Sequence, residues 1–287
     1  MKTKIFILIA LFLGTKVVVG QTNPLLNQYF NNTYLANPSM AGVKQGGAVD
    51  LAFRAQWGSI PGSPVLQNLT AAYGWERVGV GLNMSLDKAG LQSQTRVLAS
   101  YAYHLPISLE SKLHFGISGG FMNQRINVQD IIGDPNDNQV GAYNSDYRTY
   151  FDGDFGIGLT SNRINLDLSI VNLQNLWRRD NFKLVNTPVG YASAGYKINV
   201  GQSIFQPKVA YRSFTKVDDI VDVGGQFGIA NQQVLFTAMY HTSKAASFGL
   251  GMHFRNKYLI NAAYSTPTGN LSQFSGDSFE INLGLLW

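Results

Sequence analysis

The stretch Phe279-Glu280-Ile281-Asn282-Leu283-Gly284-Leu285-Leu286-Trp287 decides the fold. Successive side chains of an extended strand point to opposite faces, so Phe279, Ile281, Leu283, Leu285 and Trp287 share one face. Glu280, Asn282 and Gly284 share the other, and only Leu286 breaks the alternation. A soluble domain rarely places its most apolar strand where fraying is commonest. A barrel in lipid does so, because its last strand must pair with its first. A tilted strand crosses the hydrocarbon in about nine to eleven residues, apolar outward and polar inward. The stretch therefore predicts the closing strand of an outer-membrane barrel.

The other end of the chain agrees with that compartment. Lys2 and Lys4 precede the apolar run 5–13, and Val18-Val19-Gly20 lead to Gln21. This is the three-part pattern of a secretory signal, with cleavage expected between Gly20 and Gln21. The run is too short for a spanning helix, and no Cys follows that could carry a lipid. Removal of residues 1–20 takes Lys2, Lys4 and Lys16 with it and lowers the formal net charge from +5 to +2. The basic pI is then no argument for a nucleic-acid partner. The absence of Cys excludes a disulfide framework, so stability must come from sheet closure. Charged residues make up 14%, against about 25% in ordinary soluble domains, beside 30 Gly, 14 Tyr and 17 Phe.

Working back from the terminal stretch, the same alternation recurs. Val78, Val80, Leu82, Met84 and Leu86 alternate with Gly and polar residues, as do Ile164, Leu166, Leu168 and Ile170, and Phe248, Leu250, Met252 and Phe254. Leu98 is a mismatch in the run 94–104. The alternation predicts about 14 strands, near 48–57, 66–75, 77–87, 94–104, 112–122, 150–160, 163–172, 189–199, 204–214, 219–229, 233–242, 245–254, 257–265 and 278–287. Loop lengths test this count independently. The longest gaps, 123–149, 173–188 and 266–277, are all odd-numbered, and the shortest are all even. That is the parity of a barrel with long outer loops and short periplasmic turns. Trp57, Trp75, Tyr103, Tyr240, Tyr258, Tyr264 and Trp287 lie near strand ends, where interfacial girdles form. The expected class is all-β, an antiparallel up-and-down transmembrane barrel. Its expected division is a signal peptide at 1–20, an N-terminal periplasmic or plug segment at 21–47 and the barrel at 48–287.

Residues 21–47 do not alternate. Asn-Pro pairs at 23–24 and 37–38 break them, yet Leu25, Leu26, Tyr29, Phe30, Tyr34 and Leu35 are large and apolar. Such a segment tucks into a barrel mouth or docks on a partner. Asp50, Arg54, Asp152, Asp154, Arg163, Asp167, Lys208, Arg212 and Asp222 fall on expected inward faces, since charge facing lipid is costly, roughly 2–4 kcal/mol for Arg or Lys at mid-depth. Both signs occur in similar number, which favours paired networks over a charge-selective pore.

Motifs for chemistry are sparse. His104, His114, His241 and His253 lie on separate strands without a zinc spacing, and the first, second and fourth are expected to face the lumen as solvated residues. Ser100 and His104 share a face but sit roughly 13 Å apart along a strand. The run 134–138 begins like a calcium loop but lacks its Gly and its terminal carboxylate. The glycines of 79–81 and 156–158 lie within strands with no helix following, which fits close packing inside a barrel. No cofactor, metal or catalytic centre is expected.

Residues 34–42, Tyr-Leu-Ala-Asn-Pro-Ser-Met-Ala-Gly, following Gln28-Tyr29, resemble the N-terminal motif of the PorP/SprF proteins of the Bacteroidetes type IX secretion system. The resemblance continues through FRAQW at 53–57, PGSPV at 61–65, GVGLNMSLDKAG at 79–90 and YAYHLP at 101–106. It departs at Ser39-Met40, where the family more often has Ala-Tyr, and at the terminal Leu286-Trp287. The resemblance implies an integral outer-membrane barrel without a catalytic centre. It implies work with type IX translocon and gliding components in the export or surface anchoring of one large secreted adhesin. Tyr34, Asn37, Pro38, Gly42, Arg54, Trp57 and Pro61 carry the motif and are the expected partner contacts, with loops 123–149 and 173–188. Barrel assembly machinery and outer-membrane lipid are the remaining expected partners. The rival reading is a small-solute porin.

Overall fold

The structure, a computed structural model, describes residues 28–56, 62–126, 148–176, 189–214, 218–268 and 276–287. Fifteen strands form one sheet: β1 (Gly46–Gln56), β2 (Val65–Trp75), β3 (Val78–Ala89), β4 (Gln92–Pro106), β5 (Ser111–Ile126), β6 (Arg148–Ser161), β7 (Ile164–Val171), β8 (Val189–Tyr196), β9 (Ile198–Val200), β10 (Ser203–Phe214), β11 (Ile220–Ile229), β12 (Val234–His241), β13 (Ala245–Phe254), β14 (Tyr258–Pro267) and β15 (Ser278–Leu286). β8 and β9 both pair with β10 and are two halves of one stave, interrupted where Lys197 N–H donates to Arg163 O at 2.7 Å. The sheet is thus a closed antiparallel barrel of 14 staves. No described helix is long enough and apolar enough to cross a membrane; the strands do so.

Closure runs through the stretch Phe279–Trp287. β15 pairs with β1 from Ala48–Leu286 to Gln56–Ser278, and Gly47 and Trp287 exchange two further backbone bonds of 2.9 and 3.0 Å. Phe279, Ile281, Leu283, Leu285 and Trp287 are exposed on the outside, whereas Glu280 and Asn282 are fully buried. The same division holds around the barrel: Leu51, Phe53, Ile117, Phe155, Leu168, Phe248, Leu250 and Ile260 point outward. Each such side chain transferred from water to hydrocarbon gains roughly 1.5–3 kcal/mol, and this drives the exterior as a core drives a soluble fold. Leu98 keeps the strand parity and points inward, buried across from Gly120.

Several boundaries differ from expectation. β1 begins at Gly46, two residues inside the segment assigned to 21–47. β4, β5 and β6 have 15, 16 and 14 residues, so part of the long outer gap is strand. Alternation marks a strand only where one face meets lipid, and these ends extend past the apolar band. Arg163, expected to face inward, is exposed in the turn between β6 and β7. It lies just past the strand, where parity no longer assigns a face.

Candidate functional site

The lumen contains residues 28–45 of the same chain. They descend from the end that carries the long loops to the end that carries the short turns, where β1 starts. Two short 3-10 turns, Thr33–Leu35 and Pro38–Met40, replace regular structure. Asn37 caps the second: its Oδ1 accepts from Ser39 N–H at 3.0 Å and from Ser39 Oγ at 2.8 Å. Pro38 follows at the first position, where its missing N–H costs nothing. The Asn37 amide then donates outward to Ile157 O at 3.0 Å and Asp167 Oδ1 at 3.2 Å. One fully buried side chain thus shapes the segment and ties it to β6 and β7.

Glycines make room for it. A Cβ at Gly156 would land on Asn37, one at Gly116 on Pro38 and Ser39, and one at Gly158 on Met40. On β2 and β3, a Cβ at Gly79 would meet Ala41, one at Gly81 Tyr34, and one at Gly74 Gly42. The glycine pairs 79–81 and 156–158 therefore do pack closely inside the barrel, against this segment. Gly42 is constrained twice, by φ +64° and by the Tyr73 carbonyl beside its missing Cβ.

Polar ties run the length of the segment. Near the loop end, Gln28 Nε2 donates to Glu280 Oε1 at 2.6 Å, and Tyr29 Oη donates to Asp222 Oδ2 at 2.9 Å. Asp222 also takes a two-pronged contact from Arg212, 2.8 Å on each oxygen, and lies 2.6 Å from His241 Nδ1. His241 Nε2 continues to Ser247 Oγ at 2.8 Å and on to Ser265 at 2.7 Å. Lys208 Nζ donates to Tyr29 O at 2.6 Å and stands 3.9 Å from Asp167. At mid-height Asn32 donates to Thr70 Oγ1 at 2.8 Å, Tyr34 Oη meets Ser100 Oγ at 2.8 Å, and Ser100 in turn meets Ser118 Oγ at 2.9 Å. Ser169 Oγ donates to Ala36 O at 2.6 Å.

Near the turn end, His104 Nε2 lies 3.1 Å from Ala41 O, His104 and His114 face each other through their Nδ1 atoms at 2.8 Å, and His114 Nε2 lies 2.7 Å from Thr160 Oγ1. A carbonyl only accepts, so His104 carries its proton on Nε2. With both rings neutral, His104 Nδ1 accepts from His114 Nδ1–H and Thr160 donates to His114 Nε2, so every ring nitrogen has a partner. These two histidines are buried and partnered rather than solvated, while His241, which the sequence left unplaced, has a partner in Asp222. His253 is half-buried at the turn end, with Nδ1 2.9 Å from Gln232 O.

A second ionic knot lies apart from the segment. Arg96 bridges Asp152 at 2.8 Å and Asp154 at 2.5 Å. Asp154 and Asp152 in turn accept from the backbone N–H groups of Asn172 at 3.0 Å and Gln174 at 3.2 Å. This fixes the 3-10 turn Leu173–Leu176, the start of the loop expected at 173–188. Of the charges expected inward, Asp152, Asp154, Asp167, Lys208, Arg212 and Asp222 take part in ion pairs, whereas Arg163 is exposed in a turn. Arg96, which was not among them, is central to this knot.

Of the residues singled out by sequence, Tyr34, Asn37, Pro38 and Gly42 come together inside the lumen, and Arg54 is buried on the inner face of β1. With the Gln56 amide oriented to accept, Arg54 Nε and Nη2 lie 3.3 and 3.2 Å from its oxygen. Phe279, Ile281, Leu283, Leu285 and Trp287 form the outer face of the seam. Trp57, Pro61, Gly20 and Gln21 lie outside the described residues, as do Leu25, Leu26, the run 134–138, and most of loops 123–149 and 173–188. The sequence missed Gln28 and Tyr29 as anchors, although their large polar tips next to an Asn-rich stretch were visible. Between the segment and the β1–β2 wall lies a cavity of about 50 Å³ lined by Asn32, Tyr34, Lys44, Asp50, Thr70 and Ala72. Among the described residues, no group of three or more His, Asp or Glu is placed to hold a metal.

The chain matches the profile of the family described as type IX secretion system membrane protein PorP/SprF over residues 18–285. No curated protein matches it in sequence. Among solved structures it is similar to the Acinetobacter baumannii outer membrane protein Omp33, with TM-score 0.52, 7% identity, and coverage of 86% of this chain and 100% of that one. It is also similar to a monoaromatic hydrocarbon channel, CymD, with TM-score 0.53, 12% identity and coverage of 94% and 95%. The toluene transporter TbuX of Ralstonia pickettii aligns with TM-score 0.52, 10% identity and coverage of 90% and 94%. At these identities the likeness establishes the outer-membrane barrel fold alone.

Proposed function

The chain belongs to the PorP/SprF family of type IX secretion system membrane proteins, and on that premise we propose that it is an accessory barrel that helps export a large secreted adhesin or anchor it at the cell surface. The observation that carries this reading is the lumen occupied by residues 28–45, held by buried hydrogen bonds from Gln28 to Ala41. A barrel closed by its own chain offers surfaces and loops to partners in place of a path for solutes. In this reading residues 21–47 act as a plug, the signal is cleaved after Gly20, and loops 123–149 and 173–188 meet the adhesin and the translocon. Deleting 127–147, the part of that gap outside β5 and β6, should abolish adhesin retention while the barrel still assembles; normal retention in that deletion sinks the assignment of this loop.

A small-solute porin is the second reading, favoured by one observation: between Gln28 and Gly42 the segment is held only by hydrogen bonds and packing, and it joins the wall covalently only where it runs into β1. The solved barrels named for hydrocarbon or toluene passage are consistent with such a use of the fold. The cavity of about 50 Å³ beside the segment holds only a few waters, so passage of a solute requires the segment to leave.

A further inference from the structure

The end of the barrel that carries the short turns is predominantly basic. Arg77, Lys112, Arg163, Lys197, Arg255 and Lys257 surround the rim, and Lys44 is exposed where the lumenal segment emerges. Only Glu76 and Glu110 oppose them among the described residues of these turns. The opposite end is mixed, with Asp87, Asp218, Asp219 and Asp277 against Lys88, Arg125 and Lys244 among the described residues. The turns themselves are polar with one exception. Between β4 and β5 the chain reads Ile107-Ser108-Leu109-Glu110; Ile107 is 56% exposed and Leu109 107%, so no described residue covers the leucine. This hairpin also stands forward of its neighbour: the last β3–β4 pair is Val78 with Tyr103, whereas β4–β5 pairing continues to Pro106 with Lys112.

Tyr103, Trp75, Tyr258 and Trp287 are exposed aromatics near this end and mark the membrane interface. Three strand residues beyond Tyr103 place the hairpin tip roughly 10 Å past that girdle. The basic rim by itself would suit headgroup phosphates equally well. An uncovered leucine on the aqueous side has no partner in a headgroup layer, and an apolar anchor within a charged ring is how protein interfaces are built.

We propose that this turn end is a docking platform for a protein with an acidic face and an apolar pocket, which receives Leu109 while the ring of arginines and lysines sets its orientation. Complementary charge steers such an encounter and fixes its register. The inference rests on reading the barrel as a component of a secretion machine, and its failure is separable from failure of that reading.

The test introduces the photo-cross-linking residue p-benzoyl-phenylalanine at position 109, in cells that carry the type IX machinery, with the lipid-facing position 250 as control. Irradiation is expected to give a discrete protein adduct from 109 and not from 250, with the linked peptide in an Asp/Glu-rich domain. The triple variant R163E/R255E/K257E should lower the yield roughly fivefold or more, with heat-modifiable mobility reporting an intact barrel. Raising the salt on isolated outer membranes before irradiation gives the same reading without mutation. A lipid adduct only, no adduct, or a protein adduct indifferent to both charge reversal and salt overturns the proposal. If adhesin display persists in any of those cases, the platform is refuted and the accessory role stands.

Discussion

At the residue scale, Asn37 and Gly42 are where the lumenal segment is most sharply specified. Asn37 uses all its polar capacity, two bonds inward to Ser39 and two outward to Ile157 and Asp167. Asn37→Ala leaves a buried carbonyl and carboxylate short of a donor, at a cost of about 1–3 kcal/mol for each group. We expect faster hydrogen exchange across 28–42 and new protease sensitivity there, with the strands unchanged; unaltered exchange would contradict the role given to Asn37. Gly42→Val forces a side chain into the left-handed region and against Tyr73, so it should release the same segment more severely. Trp287 depends on a neighbouring absence: its indole lies over Gly47, whose Cβ would strike the ring. Replacing Trp287 with Asp puts charge on the lipid-facing seam, and we predict misassembly and periplasmic degradation, read as loss of heat-modifiable barrel. The motif 34–42 was legible in the sequence as a resemblance, but its place was not. Neither Asn37 nor Tyr34 has sequence neighbours that reveal partners more than sixty residues away, such as Ser100 or Asp167.

At the scale of elements, the strands could be read because lipid imposes alternation on one face, and register follows from parity. That is why all 14 staves were expected close to where they lie, and why errors gather where lipid is absent. The ends of β4, β5 and β6 run past the stretches that alternate, and Arg163 sits one residue beyond a strand. The lumenal networks were half legible. Parity placed Arg212, Asp222, Asp152 and Asp154 inside, but their pairing depends on which strands adjoin and on the depth of the segment between them. His241 was hidden because Leu235 and Met239, also inward, blur the polar face of β12. The Arg212–Asp222–Tyr29 knot gives a sharp test. Asp222→Ala removes the buried carboxylate that Arg212 grips with two bonds, at a cost of about 3–5 kcal/mol. The unfolding midpoint in urea should fall and Tyr29 should become accessible to labelling. Asp222→Asn, which keeps the shape and an acceptor for the Tyr29 hydroxyl, should be milder; equal damage from both variants would show that the charge both remove, and not the volume that only Ala removes, holds the knot.

For the whole molecule, the family and the fold are of non-enzymatic kinds, and the outer-membrane address follows from both. What distinguishes this barrel from an open channel is its own chain. Residues 28–45 fill the lumen along a track of glycines on β2, β3, β5 and β6 and are tied to the wall at both ends. The outer surface belongs to lipid, and the two ends are left for partners. The most direct test is the single-channel conductance of the purified barrel in a planar bilayer, with and without residues 21–41. The account predicts no sustained conductance from the chain that keeps the segment, and steady openings from the chain that lacks it. A porin-like conductance from the chain that retains the segment would contradict the closed lumen on which the proposed function stands.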